Sequence, residues 1–193
     1  STSELYGLVQ ETPQKETTPF YPRSPYAVAK TSAYWLVNNY RDAYGLFACT
    51  GILFNHESPL RPERFVTQKI IRAVKRIAEG SSEKLKLGRL DIARDWGWAP
   101  EYVEAMWLML QQTEPQDYVI ATGVTITLED FVKTAFEQAN LNWKNYVIQD
   151  PDLFRPTDLA IGRADPSRAL KQLNWKALTQ GVEVVKQMYQ SLK

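Results

Sequence analysis

Two short runs near the start of the chain carry residue types that could do chemistry. Ser1-Thr2-Ser3-Glu4-Leu5-Tyr6-Gly7 sets a hydroxyl beside a carboxylate, and Tyr26-Ala27-Val28-Ala29-Lys30 sets a phenol one helical turn from an ammonium. On a helix Tyr26 and Lys30 share one face, and a cation beside a phenol favours the phenolate, a usable base near neutrality. Thr2 and Glu4, if both are extended at a strand end, point to one side and could face the same substrate. Together the four are the parts needed to move protons on a sugar while a nicotinamide carries a hydride. Taken singly, each has a plainer reading: an exposed Tyr/Lys helix pair, and a strand terminus with a solvated acid.

The elements that must hold these groups can be traced along the chain. Ser24-Pro25 reads as a helix N-cap followed by proline at the first helical position, and Gly45 as a stop, so Tyr26–Tyr44 is expected to be one helix. Ala29, Ala33, Leu36, Val37 and Tyr40 are its expected buried stripe. The apolar run Leu46–Phe54 has the length and composition of a strand covered on both faces in a parallel sheet, and Asn55-His56-Glu57-Ser58-Pro59 follows as a polar loop at its carboxyl end.

Further along, Phe65–Glu79 is an amphipathic helix closed by Gly80, with Val66, Ile70, Ile71, Val74 and Ile77 inward. Strands are expected at Lys84–Leu87, Tyr118–Ala121 and Asn145–Ile148. Helices are expected at Glu101–Gln111, from a Thr127/Asp130 capping box to Ala139, at Ser167–Leu173 and at Gly181–Leu192. This alternation of helices and short strands argues for α/β layers.

Composition narrows the classes. The 193 residues are 44% hydrophobic and 23% charged, ordinary for a globular chain, and 23 basic against 22 acidic residues leave a formal charge of +1. Without a global field, neither nucleic acid nor an anionic membrane is an expected partner, and any phosphate must be met by local cations. The single Cys49 excludes an intramolecular disulfide, sits in an apolar run where a buried thiol is expected, and fits a reducing, cytoplasmic setting. No stretch reaches the length of a membrane span. His56 is the one histidine, without the companions a metal site needs, so no metal is expected.

The runs quoted above resemble the extended short-chain dehydrogenase/reductase superfamily, whose hallmark is a Ser/Thr after a strand and then Tyr-x-x-x-Lys. Within it they are similar to the GDP-mannose 4,6-dehydratase family. Ser1–Gly7, Tyr21–Lys30, Gly51–Pro59, Arg94-Asp95-Trp96-Gly97 and Phe154-Arg155-Pro156-Thr157 match that family's segments in order, across essentially the whole chain. The resemblance implies an α/β fold: the C-terminal part of a Rossmann-like NAD(P)-binding sheet in residues 1–59, and a smaller nucleotide-sugar-binding α/β domain in 60–193, with 89–115 a candidate to pack back on the sheet. It also implies NADP as cofactor, GDP-mannose as substrate, and dimers or tetramers of the chain.

The implied chemistry is an internal redox dehydration yielding GDP-4-keto-6-deoxymannose, a precursor of GDP-fucose. Tyr26, assisted by Lys30, takes the proton of the hexose 4-hydroxyl, and Thr2 hydrogen-bonds that oxygen. Glu4 takes the C5 proton and assists loss of the C6 hydroxyl as water. His56 and Arg61, with Tyr26 and Lys30, are implied beside the cofactor, while Asn55, Lys69, Arg94 and Arg155 are the substrate-binding candidates, with Arg89 behind them. Arginines suit a nucleoside diphosphate because they meet phosphate oxygens bidentately, although each alone reads more readily as a solvated surface charge. Trp96, Trp98 and Trp107 read as packing residues and not as a base-stacking platform.

Trp98 and Asp158 depart from the family pattern near the implied guanosine pocket. No Gly-x-x-Gly-x-x-Gly turn lies in these residues, so the chain reads as the C-terminal part of a larger enzyme, inactive by itself. Two alternatives remain at this level. Another nucleotide-sugar dehydratase or 4-epimerase of the superfamily is one, although an epimerase needs no C5 base and dTDP-glucose enzymes carry Asp-Glu where this chain has Ser3-Glu4. A non-catalytic dinucleotide-binding protein is the other, and such proteins commonly lose the Tyr or Lys kept here.

Overall fold

Ser24 and Gly45 bound the first helix as the sequence predicts. In the computed structural model, which describes residues 1–154 and 159–192, α1 spans Pro25–Tyr44, with Ser24 Oγ accepting the Ala27 N–H at 3.0 Å. Gly45 ends it in the left-handed region at φ 64°, its N–H donating to Arg41 O. The buried face differs from expectation. Ala27 and Tyr34 are buried and Thr31, Val37, Asn38 and Arg41 half-buried, whereas Ala29, Ala33, Leu36 and Tyr40 are exposed. Polar anchoring decides this: Arg41 donates two hydrogen bonds to the Asp117 carboxylate (3.0 and 3.1 Å) and one to Ala48 O (3.0 Å), which turns its face of the helix inward.

α1 covers a parallel sheet. β1 (Gly51–Leu53) pairs in parallel with β5 (Tyr118–Ile120), and on its other side Thr2 forms a parallel bridge to Leu53. Alternation along β5 sends Val119 and Ala121 to a core shared with Leu5, Tyr6, Tyr34, Ile52 and Phe54. Tyr118 and Ile120 face a second core with Tyr102, Ala105, Met109, Ala169, Leu173 and Trp175. The sheet is therefore covered on both faces, as the continuous apolar pattern predicts. The strand itself is shorter than Leu46–Phe54. Pairing starts only where Tyr118 N–H donates to Thr50 O, and Leu46 and Phe47 are 48% and 46% exposed.

Asn55–Glu57, expected as a loop, is strand β2. It pairs in parallel with β4 (Ala93–Trp98), Asn55 opposite Trp96, and β4 pairs antiparallel with β6 (Thr125–Thr127). Neither β4 nor β6 is visible in the pattern, because buried Asp95 and the surrounding polar residues break the alternation. A third parallel pair joins β3 (Leu85–Leu87) to β7 (Val147–Gln149), the latter shifted toward the C-terminus from its expected position.

A third core lies under α2 (Val66–Ala78), α4 (Leu128–Glu137) and α6 (Val182–Ser191). Ile70, Ile71, Val74 and Ile77 meet Phe131, Val132, Phe136, Val184 and Met188 there, while Val66 is 38% exposed. The capping box of α4 is formed as read, with Thr127 Oγ1 accepting from Asp130 N–H at 3.0 Å and the Asp130 carboxylate accepting from Thr127 N–H at 3.1 Å. α3 (Ala99–Met109) and α5 (Ser167–Leu173) pack on the β1–β5 side. Trp96 is buried against Phe131, Trp98 packs beside the same core, and Trp107 is 60% exposed. Cys49 is half-buried, its Sγ 3.8 Å from Met109 O.

Candidate functional site

The Thr2 segment, β1 and β5 run parallel, so their carboxyl ends share one edge, the side of an open α/β sheet where ligands bind. Thr2 itself is extended (φ −149°, ψ 151°), but the chain then enters a 3-10 turn, Ser3–Tyr6, with Thr2 as its N-cap. Glu4 therefore does not continue a strand. The expected alternation is replaced by a turn in which Thr2 Oγ1 accepts the Glu4 N–H at 3.3 Å, leaving the threonine's own O–H as a donor and the Glu4 side chain exposed. Gly7 closes the turn at φ 46° because a Cβ there would stand 1.8 Å from Tyr21 O.

That turn packs against α1, which carries Tyr26 in its first turn and Lys30 in its second. Lys30 Nζ lies 5.7 Å from the centre of the Tyr26 ring, and Tyr26 is 54% exposed. Thr2, Glu4, Tyr26 and Lys30 thus belong to two elements in contact at one edge.

His56 continues that edge from β2. Its Nδ1–H donates to Phe54 O at 2.8 Å, which fixes the tautomer and leaves Nε2 as an acceptor. Burial lowers its pKa, the Phe54 bond works the other way, and the Arg61 charge adds to the lowering, so the ring is neutral at neutral pH. It lies on the ring of Tyr102 at 4.9 Å, and Trp175 meets Tyr102 edge-on at 5.9 Å. Arg61 follows in the loop to α2, with its Nε 3.2 Å from Glu57 Oε2 and its guanidinium over the Phe65 ring at 3.9 Å.

The substrate-binding candidates are more dispersed. Asn55 stands at the start of β2. Lys69 Nζ donates to Lys86 O at 2.7 Å, Arg94 Nη1 donates to Ala93 O at 2.9 Å, and Arg89 is paired with Asp91 at 2.6 Å. Arg155 lies outside the described residues, as do Pro156, Thr157 and Asp158. Two cavities of about 300 Å³ open elsewhere: one between Lys15, Arg168 and Lys171, the other between Thr12, Thr125, Ile161 and Arg163. Neither is lined by the Tyr26, Lys30 or His56 side chains. Among the described residues no three His, Cys, Asp or Glu side chains cluster as a metal would need, and no helix is long and apolar enough to cross a membrane.

Of the buried polar residues that escape the sequence reading, three lie on or against β2 and β4. Glu57 is 1% exposed, Asp95 is fully buried and accepts from Thr122 N–H, Thr122 Oγ1–H and Gly123 N–H at 2.9, 2.8 and 2.7 Å, and the Tyr102 hydroxyl is buried with no partner among the described residues. No sequence signal marks any of the three: Glu57 stands between His56 and Ser58, Asp95 between Arg94 and Trp96, and Tyr102 on a helix among other aromatics.

Comparison with known proteins agrees with the resemblance. The family model for GDP-mannose 4,6 dehydratase matches residues 1–188. The GDP-mannose 4,6 dehydratase of Dictyostelium discoideum is 52% identical over 97% of this chain and 58% of its own length. GDP-mannose 4,6 dehydratase 2 of Arabidopsis thaliana is 54% identical over 97% of this chain and 50% of its own. The chain thus spans about half the length of the curated relatives it matches.

Among solved structures, RMD from Pseudomonas aeruginosa complexed with NADPH superposes with a TM-score of 0.89 at 22% identity, over 99% of this chain and 64% of that one. The dTDP-glucose 4,6-dehydratase of Bacillus anthracis in complex with NAD gives 0.84 at 20%, over 99% and 59%. These likenesses establish an α/β, Rossmann-like fold. With the family match spanning residues 1–188, this chain belongs to the GDP-mannose 4,6-dehydratase family.

Proposed function

We propose that the protein carrying this chain is an NADP-dependent GDP-mannose 4,6-dehydratase, a hydro-lyase that converts GDP-mannose to GDP-4-keto-6-deoxymannose and water. The observation that supports it most is the contact between the Thr2–Glu4 turn and the helix bearing Tyr26 and Lys30, at the carboxyl edge that His56 continues. The residues fit a nicotinamide dinucleotide phosphate. Arg61, partly exposed beside the Phe65 ring, supplies a guanidinium of the kind that meets phosphate oxygens, and the neutral His56 offers Nε2 as an acceptor. NADP, when bound, supplies the acceptor and the later source of the hydride.

In this reading Tyr26 takes the proton of the sugar 4-hydroxyl, and Lys30, one turn on, stabilises the charge this requires. The free O–H of Thr2 donates to the same sugar oxygen, while its lone pair stays engaged by Glu4 N–H. Glu4, exposed at the turn, takes the C5 proton made acidic by the adjacent ketone and delivers it to the C6 oxygen, which leaves as water. Asn55, Lys69, Arg94 and Arg155 would meet the nucleoside diphosphate. Lys69 must exchange its carbonyl contact to do so, a small cost for an ammonium on a flexible stem.

We further infer two parts that interleave along the chain: residues 1–59, 99–121 and 164–177 around the β1–β5 sheet, and 66–98, 126–147 and 182–192 around the α2–α4–α6 core. The packing of Tyr102, Ala105 and Met109 against Tyr118 supports the return of α3 to the sheet, whereas Leu90 and Trp96 stay with the other core. A homo-oligomer, through the exposed outer stripe of α1, and a cytoplasmic setting, in keeping with a lone Cys49, complete the reading. The test is turnover by the complete gene product of GDP-mannose, dTDP-glucose and UDP-glucose with NADP. A 4-keto-6-deoxy product from GDP-mannose alone is expected; conversion of another sugar nucleotide with GDP-mannose untouched would overturn the assignment.

A further inference from the structure

Glu57 is a carboxylate with 1% of its surface exposed at the end of β2, one residue from His56. It accepts the Thr67 hydroxyl at 2.8 Å, and the same oxygen lies 3.2 Å from Arg61 Nε. Burying a carboxylate is costly unless something specific requires the charge. Loop fastening does not require it. Residues 58–65 are already held by Gln68 Nε2 donating to Ser58 O (3.3 Å) and Pro59 O (3.1 Å), by Arg61 N–H donating to Ser58 O (3.1 Å), and by Phe65 N–H donating to Pro62 O (3.1 Å). A neutral glutamine would accept the Thr67 hydroxyl equally well. What only a carboxylate supplies is a charged hold on the guanidinium.

That hold has a defined geometry. Glu57 Oε2 lies 3.2 Å from Arg61 Nε, a charge contact without hydrogen-bond alignment, and Phe65 takes one face at 3.9 Å, so the guanidinium is held by a carboxylate and a ring while the residue remains partly exposed. We propose that Glu57 is a positioning residue that fixes the Arg61 guanidinium for a phosphate of the cofactor, and that a proton on Glu57 releases it. This rests on the reading above that Arg61 meets NADP.

No other charge competes for Glu57 among the described residues. β4 sets Trp98 opposite it, and α2 brings the Thr67 hydroxyl and neutral Gln68. His56 is turned to Phe54 O and neutral; Asp95 on β4 is wrapped by Thr122 and Gly123; and Glu101 on α3 is taken up by Leu178 and Thr179. Burial pushes the Glu57 carboxyl up to about 7, against the pull of Arg61 and Thr67, so the switch falls inside the physiological range.

Calorimetric titration of the complete gene product with NADP, between about pH 6 and pH 8, reads the proposal directly. Wild type is expected to bind about 5- to 10-fold tighter at the upper pH, the size of effect one charge-assisted contact gives. Glu57→Gln should bind at both values as weakly as wild type does at the lower one. Thr67→Val, which disturbs the same buried site and keeps the charge, should retain the step. A Glu57→Gln protein that keeps the step, or one weakened equally at both pH values, overturns the proposal.

A cofactor-free readout separates this from failure of the functional reading. Phenylglyoxal modification of Arg61, mapped by mass spectrometry at the upper pH, should be several-fold faster in Glu57→Gln than in wild type; equal rates would overturn the hold itself. If Arg61→Ala binds NADP as wild type does, Arg61 is not at the cofactor and the proposal falls, whatever the protein turns over. Absence of GDP-mannose turnover with the pH step intact would instead sink only the proposed function.

Discussion

Gly97 lies directly under the ring of Tyr102. A Cβ at Gly97 would stand 2.4 Å from Tyr102 Cε2 and 2.5 Å from its Oη, and Gly97 is the residue opposite His56 in the β2–β4 pairing. A glycine on β4 thus opens the space for the ring on which His56 rests. Gly97→Ala should destabilise by about 1–3 kcal/mol through overpacking, read by urea unfolding, and should displace His56. Tyr102→Phe should do neither, because the hydroxyl it removes has no partner among the described residues; stability within about 1 kcal/mol of wild type or above it is expected. A larger loss would mean that the hydroxyl is hydrogen-bonded after all.

Two buried acids give stability a slope with pH. Burial pushes Asp95 up to about 6, against the bonds from Thr122 and Gly123, and Glu57 up to about 7. Folded values above the unfolded ones mean stability that is fully present below about pH 4 and lost as pH rises through 6 and then 7, about 3 kcal/mol for each group. Asp117 acts with the opposite sign: burial would raise it, but hydrogen bonds, first from Arg41, hold it below the usual range, so its contribution is lost only in acid. Unfolding midpoints should fall between pH 5 and 7.5, and Glu57→Gln should remove the upper part of that fall. A flat profile in wild type would contradict it.

Glu101 clamps the chain after α5 to α3. Its carboxylate accepts from Leu178 N–H (2.8 Å), Thr179 N–H (3.1 Å) and Thr179 Oγ1–H (2.6 Å), and its carbonyl accepts Trp175 Nε1–H at 3.1 Å. Glu101→Ala leaves two amides without their acceptor and should cost about 1–3 kcal/mol. Hydrogen exchange is the specific measurement: protection should fall at residues 178 and 179 before it falls on β5. Uniform loss along the chain would point to global unfolding instead.

The outer stripe of α1 predicts how the 193-residue chain behaves by itself. Trp35, Leu36, Tyr40 and Tyr44 are 59, 58, 51 and 70% exposed, with Leu46 and Phe47 nearby, an apolar surface that favours association. Light scattering should show concentration-dependent self-association, and Leu36→Glu should reduce it without lowering helix content. A monodisperse monomer at high concentration would mean that this face is adequately solvated.

What the sequence made legible was what local chemistry controls. Caps at Ser24, Gly45, Thr127 and Asp130 are local hydrogen bonds, and α5 begins and ends where its pattern does. Period alone could not say which stripe of α1 faces inward, because the Arg41–Asp117 pair, formed across distant sequence, outweighs the apolar stripe. β2 and β4 were hidden for a related reason: Asn55, His56, Glu57 and Asp95 owe their strand conformation to backbone pairing, and their polar side chains mask it. The motif residues Thr2, Glu4, Tyr26 and Lys30 were legible by type and spacing, but the turn that presents Glu4 needed the Gly7–Tyr21 approach, which no spacing reveals.

Glu4 and Tyr26 occupy different elements and, on the proposed chemistry, different steps, so their variants should fail differently. Tyr26→Phe keeps the ring under Lys30 and removes only the proton acceptor for the 4-hydroxyl. Without the 4-ketone the C5 proton is not acidic, so this variant should lose both product and solvent deuterium incorporation at C5. Glu4→Gln keeps the Thr2 cap, since that bond uses the Glu4 backbone N–H, and should lower product formation by about 10²- to 10⁴-fold, the usual range for a general acid or base, with KM for GDP-mannose little changed. Adding a 4-keto sugar nucleotide to each variant separates them: Tyr26→Phe should regain C5 exchange, because its Glu4 is intact, whereas Glu4→Gln should not. Exchange restored in both would remove Glu4 as the C5 base, and exchange in neither would mean that Tyr26 acts beyond the first proton transfer.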